Sequence, residues 1–284
     1  MNPSVNAIRI PFTIAAHGAN LARFVYAFVV RGSSVVLIDS GVMGSEREIL
    51  AQVGAGQRRA DEVAWLLLTH SHPDHVGGAR AVRQACGCRV AVHAAERRWV
   101  EDVATQARER AVPGFDRLVG GSVPVDRALA DGDVIEIGPG QSIRVIHTPG
   151  HSAGSVSFLL EPGGDLFTGD AVPVPGDMPI YDDPQASLRS LDKLRQTSFE
   201  RLLASWDVPR GREEARPRIE QAMRWLERIG DAVQRVARGA SGVDPAALTR
   251  EVIALLGLPA TAAANPLVAR TFMSHLARPE GGPR

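Results

Sequence analysis

The chain opens on short hydrophobic runs rather than on amphipathic helices. Ile8–Ile14, Phe24–Val30 and Val35–Ile38 are rich in β-branched and aromatic residues and are separated by Gly and Asn signals such as Arg31-Gly32-Ser33-Ser34. They predict successive antiparallel strands. Ser45–Val53 changes period: a Ser start, Glu in the first turn and apolar Ile49, Leu50 and Val53 predict a short helix ended by Gly54. Trp65–Leu68 reads as a buried strand running straight into a histidine-rich segment, followed by a helix at Ala79–Ala85 and a strand at Arg89–Val92. That alternation puts the segment at a strand's carboxyl end, where α/β sheets hold ligands. Ala95–Arg110 is predicted as a helix, and Val112–Pro124, with Pro113, Gly114, Gly120 and Gly121, as a loop.

Strands return at Val134–Ile137, Ser142–His147, Ser155–Leu160 and Asp165–Thr168, so the second half mirrors the first. After Ala186 the pattern turns helical, interrupted by a strand-like Leu202–Trp206. A long helix over Arg216–Arg238 is expected to start at Pro217, and two more helices cover Asp244–Leu256 and Asn265–Ala277. A boundary near Gly239–Val243 divides a domain, 1–238, from a C-terminal helical extension, 239–284.

Composition narrows the class. The 284 residues are 44% hydrophobic and 23% charged, enough to bury a core. Lys plus Arg and Asp plus Glu both number 32, so no global field recruits nucleic acid, an acidic polymer or an anionic membrane. Nuclease or phosphodiesterase activity is correspondingly disfavoured. The two cysteines, Cys86 and Cys88, are spaced poorly for a disulfide and are too few for a thiolate zinc site, which points to a reducing compartment. Met1–Pro11 lacks the pattern of a signal peptide, and Phe24–Val30 is strand length, far short of a membrane span. A cytoplasmic protein is expected, with a small-molecule substrate, no nucleic-acid or membrane partner, and a homodimer left open.

The candidate chemistry lies in Thr69-His70-Ser71-His72-Pro73-Asp74-His75. Along an extended strand alternate side chains share a face, so His70 and His72 can hold one ion from two corners. Pro73 then ends the strand, and Asp74 and His75 follow where the chain turns into a helix and can hold a second ion. For any lone histidine, packing is the better reading; it fails for this group. Imidazole and carboxylate ligands suit zinc, one or two ions per chain, with iron or manganese as alternatives. His147-Thr148-Pro149-Gly150-His151 and Phe167-Thr168-Gly169-Asp170 each place a ligand at a strand end beside a tight turn. His151 completes the first ion's three histidines, and Asp170, with two oxygens, bridges both ions. His147 reads equally as a packing residue or as support for a ligand.

In this order and with these flanks, the residues resemble the metallo-β-lactamase superfamily over about the first 210 positions. Val36-Leu37-Ile38-Asp39-Ser40-Gly41 matches that family's early strand-end Asp-x-Gly pattern. The resemblance implies an α+β fold, a four-layer αββα sandwich, here with a C-terminal helical extension. It makes Asp39 a residue that steadies the ligands, although an ordinary turn Asp reads as well. It also implies a hydrolase in which a metal-bound hydroxide attacks a carbonyl or phosphoryl group, with Asp74 as the catalytic residue that orients the hydroxide or accepts its proton.

Many relatives supply a further His after the strand that follows Asp170. Here Trp206 stands in its place, with Asp207 as a substitute ligand or a plain turn residue. His275 is read first as a packing or surface residue, with a pocket residue reaching the site from a helix as the alternative. Among substrates, thioesters of the hydroxyacylglutathione type come first, because the helical C-terminal part and Ser187–Leu194 are similar to those enzymes; lactones come next. The Pro-rich loop Ala171–Asp183 is expected to line the entrance and to suit an organic acyl group. From other classes, a mononuclear iron oxygenase acting on persulfides and a non-catalytic metal-holding protein stand as alternatives.

Overall fold

Two six-stranded mixed sheets carry the fold. The computed structural model of the protein describes residues 3–16, 19–238 and 244–276. The first sheet runs in chain order: β1 (Ser4–Ala16), β2 (Ala19–Arg31), β3 (Val35–Ile38), β4 (Val63–Leu67), β5 (Arg89–His93) and β6 (Arg127–Leu129). β1 and β2 form a long antiparallel hairpin and β3 pairs antiparallel to β2, whereas β3 to β6 are mutually parallel. Parallel neighbours need crossover connections. These are α1 (Glu46–Ala55), α2 (Pro73–Val76) and α3 (Ala79–Cys86), then the short α4 (Arg97–Glu101), α5 (Val103–Glu109) and α6 (Phe115–Leu118).

The second sheet has β7 (Val134–Gly138), β8 (Gln141–His147), β9 (Val156–Glu161), β10 (Asp165–Gly169), β11 (Arg201–Ala204) and β12 (Arg210–Gly211), with β10 and β11 its parallel pair. Alternation along the strands sorts the core into two layers. Val25, Ala27 and Val29 of β2 pack with Ile49 and Val53 of α1 and Val82 of α3, while Phe28 and Val30 face Phe158, Leu160 and Phe167 of the opposite sheet. The Phe28 and Phe167 rings meet edge on at 5.2 Å. Each such fully buried side chain contributes about 1.5–3 kcal/mol.

Chain contacts divide the protein into two units. The first, Met1–His147, Gly154–Asp170 and Ser198–Ala215, holds both sheets and α1 to α6. The second, Thr148–Ala153, Ala171–Thr197 and Arg216–Arg284, is helical: α7 (Pro184–Gln196), most of α8 (Arg212–Ala237), α9 (Pro245–Leu256) and α10 (Pro266–Ser274). Two mixed sheets with helices and a helical C-terminal part make the α+β sandwich that the sequence predicts. Among the described residues no helix is long and apolar enough to cross a membrane.

Several elements differ from expectation. The strand expected to reach His72 ends at Leu67, because Thr69 leaves the ladder: its carbonyl accepts Val156 N from the other sheet at 2.9 Å. The helix expected over Ala95–Arg110 breaks at Asp102, whose extended backbone lets its side chain cap α5 at Thr105 N. The loop 112–124 contains α6, and β6 and β12, too short to show a period, were not foreseen. α8 begins at Arg212 and keeps Pro217 inside it, its first turn carrying Glu213 and Glu214 at the positive end of the helix dipole. The last helix, expected to run to Ala277, ends at Ser274 with His275 as its C-cap, and the boundary at 239–243 lies outside the described residues.

Candidate metal centre

The ends of β3 and β4 build the site. Asp39 follows β3 with φ of 59°, a left-handed conformation that turns its carboxylate inward, and it is 1% exposed. Oδ1 accepts Thr69 N at 2.8 Å, and Oδ2 accepts Thr69 Oγ1 and His75 Nδ1, both at 2.8 Å. A carboxylate only accepts, so His75 carries its proton on Nδ1. Thr69 Oγ1, having given its hydrogen to Asp39, accepts from His70 Nδ1 at 3.1 Å. One buried carboxylate thus sets the tautomer of both histidines and turns both Nε2 atoms towards the cluster.

That cluster is tight. The ring centroids of His70 lie 4.5 Å from His72 and 4.1 Å from His75. His75 Nε2 faces Asp170 Oδ1 at 3.1 Å and Asp74 Oδ2 at 3.7 Å, and ligand atoms of His70, His75 and Asp170 all fall within 4.8 Å of one another. Burial works to lower the His75 pKa, but Asp170, Asp39 and Asp74 together raise it well above the ordinary imidazole value. Three carboxylates around a fully buried ring demand positive charge, and a divalent cation supplies it where otherwise a proton must sit. The donor set fits a metal ion.

Local sequence explains the placement. Pro73 occupies the first position of α2, which seats Asp74 in its first turn and His75 one residue on. Asp170 follows Gly169, whose φ of 51° turns the chain where a side chain would strike Thr69. The structure therefore brings His70, His72, Asp74, His75 and Asp170 together.

His151 belongs to the second unit. Its Nδ1 lies 2.7 Å from Ile180 O, an acceptor only, so this ring too carries its proton on Nδ1. His147 stacks on His93 with centroids 4.3 Å apart and planes at 6°, and its N–H donates to Asp131.

Trp206 packs against the hairpin, with ring centroids 6.3 Å from Phe12 and 6.1 Å from Phe24 and the Arg23 guanidinium over its face at 4.6 Å. Ser205 O, just past β11, accepts Tyr26 N of β2 at 2.9 Å, so this corner ties the second sheet to the first. Asp207 takes Arg210 through both oxygens at 2.9 Å and caps Val208 N. In this geometry Asp207 acts as a turn residue. His275 packs within the second unit: burial lowers it to about 4, and its Nε2 lies 2.7 Å from Tyr181 Oη.

Sequence reasoning missed Glu96. It is 3% exposed and accepts Ser71 N at 3.2 Å, Ser71 Oγ and Gly154 N at 2.7 Å, while Gln106 Nε2 donates to Ser71 O. Ser71 sits between His70 and His72, so Glu96 holds the backbone that carries both rings. Nothing in His93-Ala94-Ala95-Glu96-Arg97-Arg98 distinguishes this Glu from a solvated one. Glu96→Ala leaves buried N–H groups without acceptors and is expected to destabilise the metal-free protein by about 2–4 kcal/mol. Urea unfolding checks this, and a change below about 0.5 kcal/mol is the contrary result.

Comparison with known proteins adds to the geometry. A family model described as the metallo-beta-lactamase superfamily matches residues 21–206. A hydroxyacylglutathione hydrolase of Cereibacter sphaeroides is 31% identical over 184 residues, covering 63% of this chain. The chain spans about three fifths of that relative's length, 61%. The hydroxyacylglutathione hydrolase of Methylococcus capsulatus is 26% identical over 232 residues, covering 81% of this chain and 79% of its own. Among solved structures, a beta-lactamase domain protein from Burkholderia ambifaria superposes with a TM-score of 0.71 at 22% identity, covering 96% of this chain and 86% of that one. A metallo-beta-lactamase family protein from Thermus thermophilus gives 0.69 at 22% identity, with coverages of 93% and 91%. At that identity the likeness concerns the fold.

Proposed function

This chain belongs to the metallo-beta-lactamase superfamily, and from that premise we propose that it is a metal-dependent hydrolase acting on a small-molecule thioester. The observation that carries the reading is the group of buried His70 and His75 with the part-buried Asp170, both rings held in one tautomer by Asp39. His70, His72, Asp74, His75, His151 and Asp170 are the residues that would hold the metal. When bound, the metal supplies a Lewis acid that acidifies water and polarises the scissile carbonyl.

The chain's own groups do the rest. Asp74 is 18% exposed on its side chain, so its carboxylate reaches both the cluster and the solvent side. From there it orients the attacking water and takes its proton. Asp39 and Glu96 keep the ligands in place without touching substrate. The hydroxyacylglutathione hydrolases among the relatives favour a thioester, with a lactone as the next substrate class.

Trp206 favours a second reading, a single-iron oxygenase acting on persulfides, because it stands where many relatives place another histidine and it packs on Phe12 and Phe24 instead. Elemental analysis of protein purified without added metal, beside a panel of glutathione thioesters and lactones, separates the two. Zinc with thioester hydrolysis, lost by about 10³-fold or more in a folded His72→Ala variant, is the expected result. One iron per chain with oxygen uptake on a persulfide turns the assignment to the oxygenase. A metal-free protein without hydrolysis ends both.

A further inference from the structure

α10 begins with Asn265, whose side chain accepts Leu267 N, and Pro266 in the first turn. Its buried face is Val268, Thr271 and Phe272. Thr271 is the polar exception, 1% exposed, and a buried helix hydroxyl ordinarily bonds back to its own helix. Here it leaves the helix. Tyr181 N donates to Thr271 Oγ1 at 3.0 Å, and Oγ1 donates to Tyr181 O at 2.9 Å, so one hydroxyl holds both backbone groups of Tyr181.

Other contacts from the same helix end on the same segment. Tyr181 Oη meets His275 Nε2 at 2.7 Å, and Arg270 pairs with Asp182 at 2.9 Å. The segment in turn surrounds His151. Ile180 O accepts from His151 Nδ1 at 2.7 Å, and the N–H groups of Asp182 and Asp183 donate to Gly150 O at 2.8 and 3.0 Å. Residues 180–183 thus grip both the ring of His151 and the peptide before it.

We propose that α10, through Thr271, positions His151: it fixes the carbonyl that selects the ring's tautomer and aims Nε2. Thr271 is a positioning residue with no contact to substrate, and the C-terminal helix acts on the metal centre from within its own unit. The inference rests on the reading of His151 as a metal ligand.

The test uses the full chain and zinc. Thr271→Val keeps the volume and removes the hydroxyl; Thr271→Ser keeps the hydroxyl. Zinc affinity is read by competition with a chromophoric chelator, and the His151 tautomer by imidazole ¹⁵N shifts of the metal-free protein. Thr271→Val is expected to weaken zinc about tenfold, the low end for loss of a ligand's support, and to release His151 from its single tautomer. Thr271→Ser stays within about threefold of the parent.

In a His151→Ala background Thr271→Val is expected to add nothing to the zinc loss, a result that a general loss of stability would not give. Equal losses in both backgrounds, or a Thr271→Val protein that binds zinc as the parent does while His151→Ala does not, overturn the proposal. Unchanged zinc affinity in His151→Ala overturns the ligand assignment instead, and the positioning role with it. If Thr271→Val does not fold, Arg270→Ala loosens the same segment from an exposed position. A loss of about two- to threefold, absent in the His151→Ala background, then supports the proposal, and no change overturns it.

Discussion

Asp39→Asn is expected to lower zinc affinity by about 100-fold or more while leaving the metal-free protein folded. The substitution keeps the shape and one acceptor oxygen, so Thr69 N retains its partner. The amide nitrogen then falls where Oδ2 now accepts from Thr69 Oγ1 and His75 Nδ1. A donor facing the His75 Nδ1–H forces that proton to Nε2, the atom directed at Asp170 and Asp74. The same amide donates to Thr69 Oγ1, whose own hydrogen turns to His70 Nδ1 and shifts the second ring as well.

Two ligands change tautomer through one atom, and each loss of such support costs about 10–100-fold in affinity. Chelator competition gives the affinity and imidazole ¹⁵N shifts give the tautomers. Parent-like zinc binding with both rings still protonated on Nδ1 would show that Asp39 is only a turn residue. Asp39→Ala is harsher, since it strands three buried donors at about 1–3 kcal/mol each, a large part of a domain's total stability.

Gly150→Ala is expected to cost about 2–6 kcal/mol, with a fall in melting temperature on the order of 10 °C. Gly150 has φ of 133°, a region essentially reserved for glycine, and a Cβ there would come within 2.2 Å of Ser187 Oγ and 2.4 Å of Ser187 N at the start of α7. Backbone strain and overpacking therefore add. The carbonyl of Gly150 also accepts Asp182 N and Asp183 N, so any shift moves His151 beside it and zinc affinity falls too. Gly140→Ala is the control: φ is 64°, nothing lies within 4 Å of its Cβ, and only strain of about 1–2 kcal/mol applies. Thermal unfolding of both metal-free variants decides it, and equal shifts would remove the packing argument.

Much of this fold is legible along the chain because its signals are local. Val35–Ile38 appears as a strand at the bounds expected from its apolar run, and Pro245–Leu256 as a helix opened by Asp244, whose side chain accepts Ala246 N and Ala247 N. Elements whose limits depend on distant partners were less visible. β1 and β2 run to 13 residues each because they pair with one another well beyond their apolar centres. β4 stops early because Thr69 bonds across to the second sheet.

The candidate site divides along the same line. The sequence by itself determined the candidate donors: four side chains within Thr69–His75, with His151 and Asp170 each after a strand, a pattern whose meaning lies in the spacing of near neighbours. Only the tertiary structure decided how those atoms are presented. Asp39, thirty residues before Thr69, selects the tautomers of His70 and His75. Glu96 holds the backbone between His70 and His72, and Thr271, from the far end of the chain, holds the backbone of Tyr181, next to the Ile180 carbonyl that meets His151. Trp206 is drawn to Phe12 and Phe24 by a hairpin that no local pattern places beside it. The physical reason is that a residue's propensity and period are set by its neighbours in sequence, whereas a buried hydrogen bond is set by whichever group packing brings within about 3 Å.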